Sequence, residues 1–190
     1  CTHVAIPEGT ERIGNHWFYG CDITTVEIPA SVRCIDANAF CECKNLKSVT
    51  FAPGSRLEKI GSGSFYKTRI ERVVIPKAVE ELHSDAFGQC NDLREVAFEK
   101  GNKLETIRGR AFHRCRVLAK ITLPKGLKNI EKEVFYGCTS LRTICFPNGL
   151  EKIGVKCFCG SGLEEVTLPA SVREVGAEAF SSCNQLKSVR

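Results

Sequence analysis

The chain has 190 residues, 43% of them hydrophobic and 26% charged, with a formal net charge of +5. That length is enough for one or two ordinary domains, and nowhere do the roughly 18 consecutive apolar residues of a membrane span occur. The mild positive balance permits attraction to anionic surfaces without demanding a nucleic-acid partner. The chain opens at Cys1, contains no methionine, and shows no charged segment leading into an apolar one of the kind that directs export. It reads as a processed protein or as a piece of a longer one. Pro7 stops the first extended segment, and the bulky Trp17 follows in a position where a ring would cover the first coil of a stacked fold. The segment around Val26 reads as a strand stopped by Pro29, because proline has no N–H with which to extend a ladder. At residues 51–57 the run FAPGSRL replaces the shorter proline turn, with Gly54 marking a tight turn. The strand signal returns at Val73 and stops at Pro76. The run FEKGNKL at residues 98–104, with Gly101, then lengthens the turn again. Further stops fall at Pro124, Pro147 and Pro169. In the last full unit Leu163, Val166 and Leu168 form a strand, Val172 to Val175 a second extended piece ended by Gly176, and Ala179, Phe180 and Cys183 suit a single helical or 3-10 turn.

These elements are copies of one unit. Phe18, Phe40, Phe65, Phe87, Phe112, Phe135, Phe158 and Phe180 recur at spacings of 22 to 25 residues. Three residues after each stands a small side chain: Cys21, Cys43, Thr68, Cys90, Cys115, Cys138, Ser161 and Cys183. Eight or nine residues after each comes a β-branched one: Val26, Val49, Val73, Val96, Ile121, Ile144, Val166 and Val189. Chance does not hold three columns in register over eight units. A single coil buries too little apolar surface to offset its ordering entropy, whereas stacked coils share a continuous core. The expected fold is therefore a β-rich solenoid of eight coils, residues 1–190 as one domain, with short parallel strands about 4.8 Å apart. Neither end carries a polar capping repeat, so flanking protein is expected.

The unit VEIPASVRCIDANAFCECKNLKSVTF at residues 26–51 resembles the BspA-type leucine-rich repeats. The shared pattern is an L-x-x-I-x-I-P run, then V-x-x-I-G, then A-F-x-x-C, and it covers essentially the whole chain. The resemblance implies a curved leucine-rich repeat superhelix of the kind found on many bacterial and protist surface proteins, often linked with adhesion and matrix-protein binding. It implies a cell-surface or secreted setting. It carries over no catalytic residue and no fixed binding residue.

Six of the twelve cysteines occupy the column after the repeat phenylalanine, where Thr68 and Ser161 also stand. A disulfide framework would not accept a hydroxyl there, so these thiols are expected to be small packing residues. The pairs Cys41/Cys43 and Cys157/Cys159 lie too many coils apart to share a zinc ion, which wants four ligands. No metal or cofactor is expected. Abundant unpaired thiols are easier to keep in a reducing compartment, and that favours the alternative of an intracellular protein. His3, His16, His83 and His113 sit in different coils, and HSD at residues 83–85 lacks the spatial separation of a triad. GSGS at 61–64 is a turn without the helix and lysine of a phosphate loop. Glu164 and Glu165 point to opposite faces of a strand. The sequence offers no enzyme site.

A solenoid binds through its variable outward positions. Those flanking the repeat valine include Arg72, Glu95 and Lys120 before it, and Val74, Ala97 and Thr122 after it. A second candidate is basic: between Lys100 and Lys128 stand nine lysines and arginines against one acid, Glu105. Arg108, Arg110, His113, Arg114 and Arg116 are expected to lie near one another there. The expected activity is binding of another protein or a polyanionic glycan. The alternative is a structural subunit docked in a multi-protein assembly.

Overall fold

A computed structural model describes residues 3–190. In chain order its strands are β1 (His3–Ala5), β2 (Arg12–Ile13), β3 (Thr25–Ile28), β4 (Cys34–Ile35), β5 (Ser48–Phe51) and β6 (Lys59–Ile60). They continue as β7 (Arg72–Ile75), β8 (Glu81–Leu82), β9 (Glu95–Phe98), β10 (Thr106–Ile107), β11 (Lys120–Thr122) and β12 (Asn129–Ile130). The last are β13 (Thr143–Cys145), β14 (Lys152–Ile153), β15 (Glu165–Val166), β16 (Glu174–Val175) and β17 (Ser188–Val189). Each coil contributes a strand from the repeat valine column, three or four residues long except in β15 and β17, and a two-residue strand from the V-x-x-I segment. Alternation orients the longer ones: in β7, Val73 and Ile75 are buried while Arg72 and Val74 face outward.

All strand pairs are parallel, because successive coils run the same way round. The short strands join into one sheet of eight, from β2 through β16. A third side of each coil holds the repeat phenylalanine and no helix; there the expected helical or 3-10 turn is a succession of reverse turns. Bonds such as Cys21 N–H to Phe18 O, 3.0 Å, have the 3-10 spacing. The succession breaks at two left-handed residues per coil, two before and two after the phenylalanine, for example His16 and Gly20, or Arg110 and Arg114. A residue in that conformation turns its N–H out of the helical path. Here it turns toward the next coil: His16, Phe18 and Gly20 donate to Ala37, Ala39 and Cys41. Inter-coil bonding thus continues on all three sides.

The core is a set of ladders. The eight repeat phenylalanines stack nearly parallel, with ring centroids 5.0 to 5.7 Å apart. Beside them the column thiols point at the preceding coil: Cys43, Cys90, Cys115 and Cys138 donate to the carbonyls of Phe18, Phe65, Phe87 and Phe112 at 2.9 to 3.2 Å. This explains why the column accepts cysteine, serine and threonine, small side chains that all carry a donor. The eleven described cysteines are free thiols, and Cys1 lies outside the described residues. Trp17 is 58% exposed, with its ring over Gly14 and edge-on to Phe18.

The longer strands do not form one sheet. β3 joins β5, and β7 joins β9, each over four residue pairs. β5 and β7 share one pair, Ser48 with Arg72, and no ladder continues from β9 to β11 or from β13 to β15. All three weakened steps follow a coil whose strand runs into a phenylalanine: Phe51, Phe98 and Phe146. The complete steps follow Ile6, Ile28, Ile75, Leu123 and Leu168. Each of these phenylalanines is only partly buried against the core. A phenyl ring fills more space than the aliphatic side chain it replaces and holds the next strand off. Proline, which has no N–H to donate, does not account for the difference. Pro29 and Pro147 stand at complete steps in the position that Pro76, Pro124 and Pro169 hold at the weakened ones. The phenylalanine stack runs through the β9–β11 step without interruption, with Phe112 and Phe135 5.7 Å apart against 5.6 Å for Phe87 and Phe112. On the far side that step stays closed through the β10–β12 pairs. Amide exchange checks this directly: the Thr122 N–H, which the strand alternation turns toward β9, should exchange at least about 100-fold faster than those of Thr50 and Ala97. Equal protection would mean that the ladder is closed in solution.

Candidate interaction cleft

The step at which β9 and β11 part is also a cleft of about 800 Å³, bounded by residues 94–102 and 119–125. Its lining is largely apolar, with Val96, Phe98, Ile121 and Leu123 among its residues. Arg94, Lys100, Lys120 and Lys125 also line it, all exposed. None of the four forms an ion pair among the described residues. The two carboxylates of the cleft are engaged elsewhere: Glu95 pairs with Arg72 at 2.9 Å, and Glu99 accepts the Lys77 N–H at 2.8 Å. Of the outward strand positions singled out in the sequence, Glu95, Ala97, Lys120 and Thr122 border this cleft. Arg72 and Val74 lie on the neighbouring strand β7, where Val74 is 48% exposed.

The basic segment is organised differently. Acidic residues 20-odd positions away in sequence become neighbours once coils stack, and they neutralise much of it. Arg108 pairs with Glu131 at 2.8 Å, while Arg110 lies 3.3 Å from Asp85 and 3.9 Å from Glu133. Lys103 and Lys128 pair with Glu80 and Glu105. His113 is 4% exposed. Its ring stacks on Tyr66 at 6.0 Å, and its Nδ1–H donates to the Arg110 carbonyl at 3.1 Å. Gly88 makes room for it, because a side chain there would meet the imidazole. Arg114 and Arg116 are exposed and form no ion pair among the described residues. The fold therefore brings Arg110 and His113 together and sends Arg108 to a carboxylate. A second, smaller cleft of about 370 Å³ over the short-strand sheet is likewise self-neutralised, through Arg12–Asp36 and Arg33–Glu58.

Burial holds His113 below the ordinary histidine value of 6.5, and the cations of Arg110 and Arg114 push the same way. The Arg110 carbonyl and Asp85 oppose them without prevailing. The unfolded chain then binds a proton that the folded chain refuses. This contribution to stability is complete above about pH 6.5 and is lost as the pH falls from there toward the folded value. His113→Phe keeps an aromatic ring in the slot and should flatten the dependence of the urea midpoint between about pH 7 and 5. An unchanged slope would place the proton uptake elsewhere.

Sequence reasoning missed Phe98 and Arg94 as cleft residues. The signal for Phe98 was present in the column Ile6, Ile28, Phe51, Ile75, Phe98, Leu123, Phe146 and Leu168. No group of three or more His, Cys, Asp or Glu residues placed to hold a metal ion occurs among the described residues. No helix among them is long and apolar enough to cross a membrane.

A family model described as the BspA type leucine-rich repeat region matches residues 1–94 and 58–187, in six copies. Among solved structures the chain is similar to a leucine-rich repeat protein of Bacteroides ovatus, at 24% identity and a TM-score of 0.75, covering 99% of this chain and 63% of that one. It is similar to the pneumococcal vaccine antigen PcpA at 25% identity and a TM-score of 0.59, over 94% of this chain and 53% of that one. A leucine-rich cell surface protein of Faecalibacterium prausnitzii matches at 26% identity and a TM-score of 0.65, over 98% and 46% of the two chains. The chain thus spans between about half and two thirds of the length of these relatives. No curated protein matches it.

Proposed function

The chain belongs to the BspA-type leucine-rich repeat family, and from that premise we propose that it is a non-catalytic interaction module binding another macromolecule through the outer face of β7, β9 and β11. One observation carries this reading: the cleft between β9 and β11 joins an apolar lining to four cations that form no ion pair among the described residues. Several exposed charges elsewhere answer one another from coil to coil, as in Arg69–Asp92 and Arg142–Glu164; what distinguishes the cleft is open cations grouped around apolar surface. Unsatisfied charge beside apolar surface is what a partner site presents before it is filled. The partner is a protein or a polyanionic glycan. The setting we propose is the cell surface, in keeping with solved relatives described as a vaccine antigen and a cell surface protein.

Arrays of extracellular proteins and of sulfated glycans, probed with the chain and with Ala97→Trp, test the reading. Binding that the tryptophan abolishes supports it. Binding that ignores the tryptophan moves the site to another face. Self-association of the isolated chain into large species in sedimentation experiments would favour an assembly subunit instead.

A further inference from the structure

We infer that the cleft between β9 and β11 receives an extended peptide of another protein in which apolar side chains alternate with carboxylates. This rests on the interaction reading above and specifies its partner. In an extended peptide successive side chains point to opposite sides, so one set packs on the apolar floor, where Ala97 and Phe98 are partly exposed, while the other stays at the rim. The rim is cationic. Lys120 and Lys125 on one wall and Arg94 and Lys100 on the other have no ion pair within the described residues, whereas Glu95 and Glu99 are held by Arg72 and the Lys77 N–H. Carboxylates on the peptide complete the charges that the fold leaves open. A polyanionic glycan satisfies the rim but offers nothing to the floor, and a neutral apolar ligand leaves the cations uncompensated.

The test is selection from a display library of random peptides about ten residues long, enough to run the length of the cleft at about 3.3 Å per residue. Enriched peptides are then measured by fluorescence anisotropy against three variants. We expect sequences in which Asp or Glu alternates with Val, Leu, Ile or Phe. Affinity should fall at least about tenfold in Lys120→Glu/Lys125→Glu. It should be lost in Ala97→Trp and unchanged in Arg173→Glu/Lys187→Glu, which alters net charge equally in distant coils. Enriched peptides poor in acid, or an undiminished affinity in Lys120→Glu/Lys125→Glu, would overturn the inference while leaving an interaction module that works through another surface. Failure to enrich any peptide, with heparin binding that Lys120→Glu/Lys125→Glu weakens, would overturn the peptide and put a polyanionic glycan in the same cleft. Failure to enrich any peptide or to bind heparin would remove the inference and its premise together.

Discussion

Replacing Phe87 with alanine should lower the unfolding free energy by about 3–5 kcal/mol, while Cys90→Ser three positions away should cost no more than about 1 kcal/mol. Phe87 is fully buried and stacked between Phe65 at 5.2 Å and Phe112 at 5.6 Å. Truncation therefore removes one ring from two stacking contacts and opens a cavity that neighbouring coils, tied by hydrogen bonds on both sides, cannot collapse into. Cys90 is equally buried, but its chemistry is replaceable. Its sulfur lies 3.1 Å from the Phe65 carbonyl and 3.3 Å from Thr68 Oγ1. A serine hydroxyl can donate to the same carbonyl, much as Thr68 already does within its own coil at 2.9 Å. Valine at position 90 is larger than cysteine, β-branched and without a donor, so in this fully buried site Cys90→Val should be the more damaging of the two despite its hydrophobic character. Urea denaturation of the three variants separates the effects. Comparable midpoints for Phe87→Ala and Cys90→Ser would mean that the phenylalanine ladder is not the core of the stack.

Thiol reactivity should divide the cysteines just as sharply. Cys145 is exposed and should react at once with a water-soluble maleimide, with Cys21, Cys159 and Cys183, partly exposed, following. Burial pushes Cys43, Cys90 and Cys138 up to about 12, from an ordinary value of 9.0. At neutral pH that leaves about 10³-fold less thiolate, the reactive form, before restricted access is counted. Burial raises Cys115 and Cys157 as well. Peptide mapping of the native protein after brief labelling should find these five unmodified, and labelling in denaturant should find them all. Rapid native modification of Cys90 would show that the coils open locally at its position. Cysteines that resist labelling even in denaturant without reductant would be disulfides, which the free thiols of this structure do not form.

The periodic features were readable because a solenoid repeats its environment. A position that is buried in one coil is buried in the next, so Phe18 to Phe180 announce a column without any knowledge of the coordinates. The same logic exposes the small column containing Cys90 and Thr68, although its hydrogen bonds to the preceding phenylalanine carbonyls were not evident from residue type alone. The left-handed positions were hidden for the opposite reason. Arg110, Glu133 and Lys156 are not residues that declare such a backbone, and they adopt it because their N–H groups find the carbonyls of Lys132, Val155 and Ala177 in the next coil.

The candidate site divides along the same line. From its sequence alone this protein is a stack of similar coils, with an outward strip containing Glu95, Ala97, Lys120 and Thr122 and a basic stretch around Arg108 to Arg116. Only the tertiary structure decides which of those charges remain open. Arg108 and Arg110 meet carboxylates from neighbouring coils and His113 is buried against Tyr66, while Lys120 and Lys125 meet none among the described residues. It also decides that the sheet parts beside Phe98. Local pattern sets what each coil buries, but pairing between coils depends on how two consecutive coils match in circumference and side-chain bulk, and that match exists only once they are stacked.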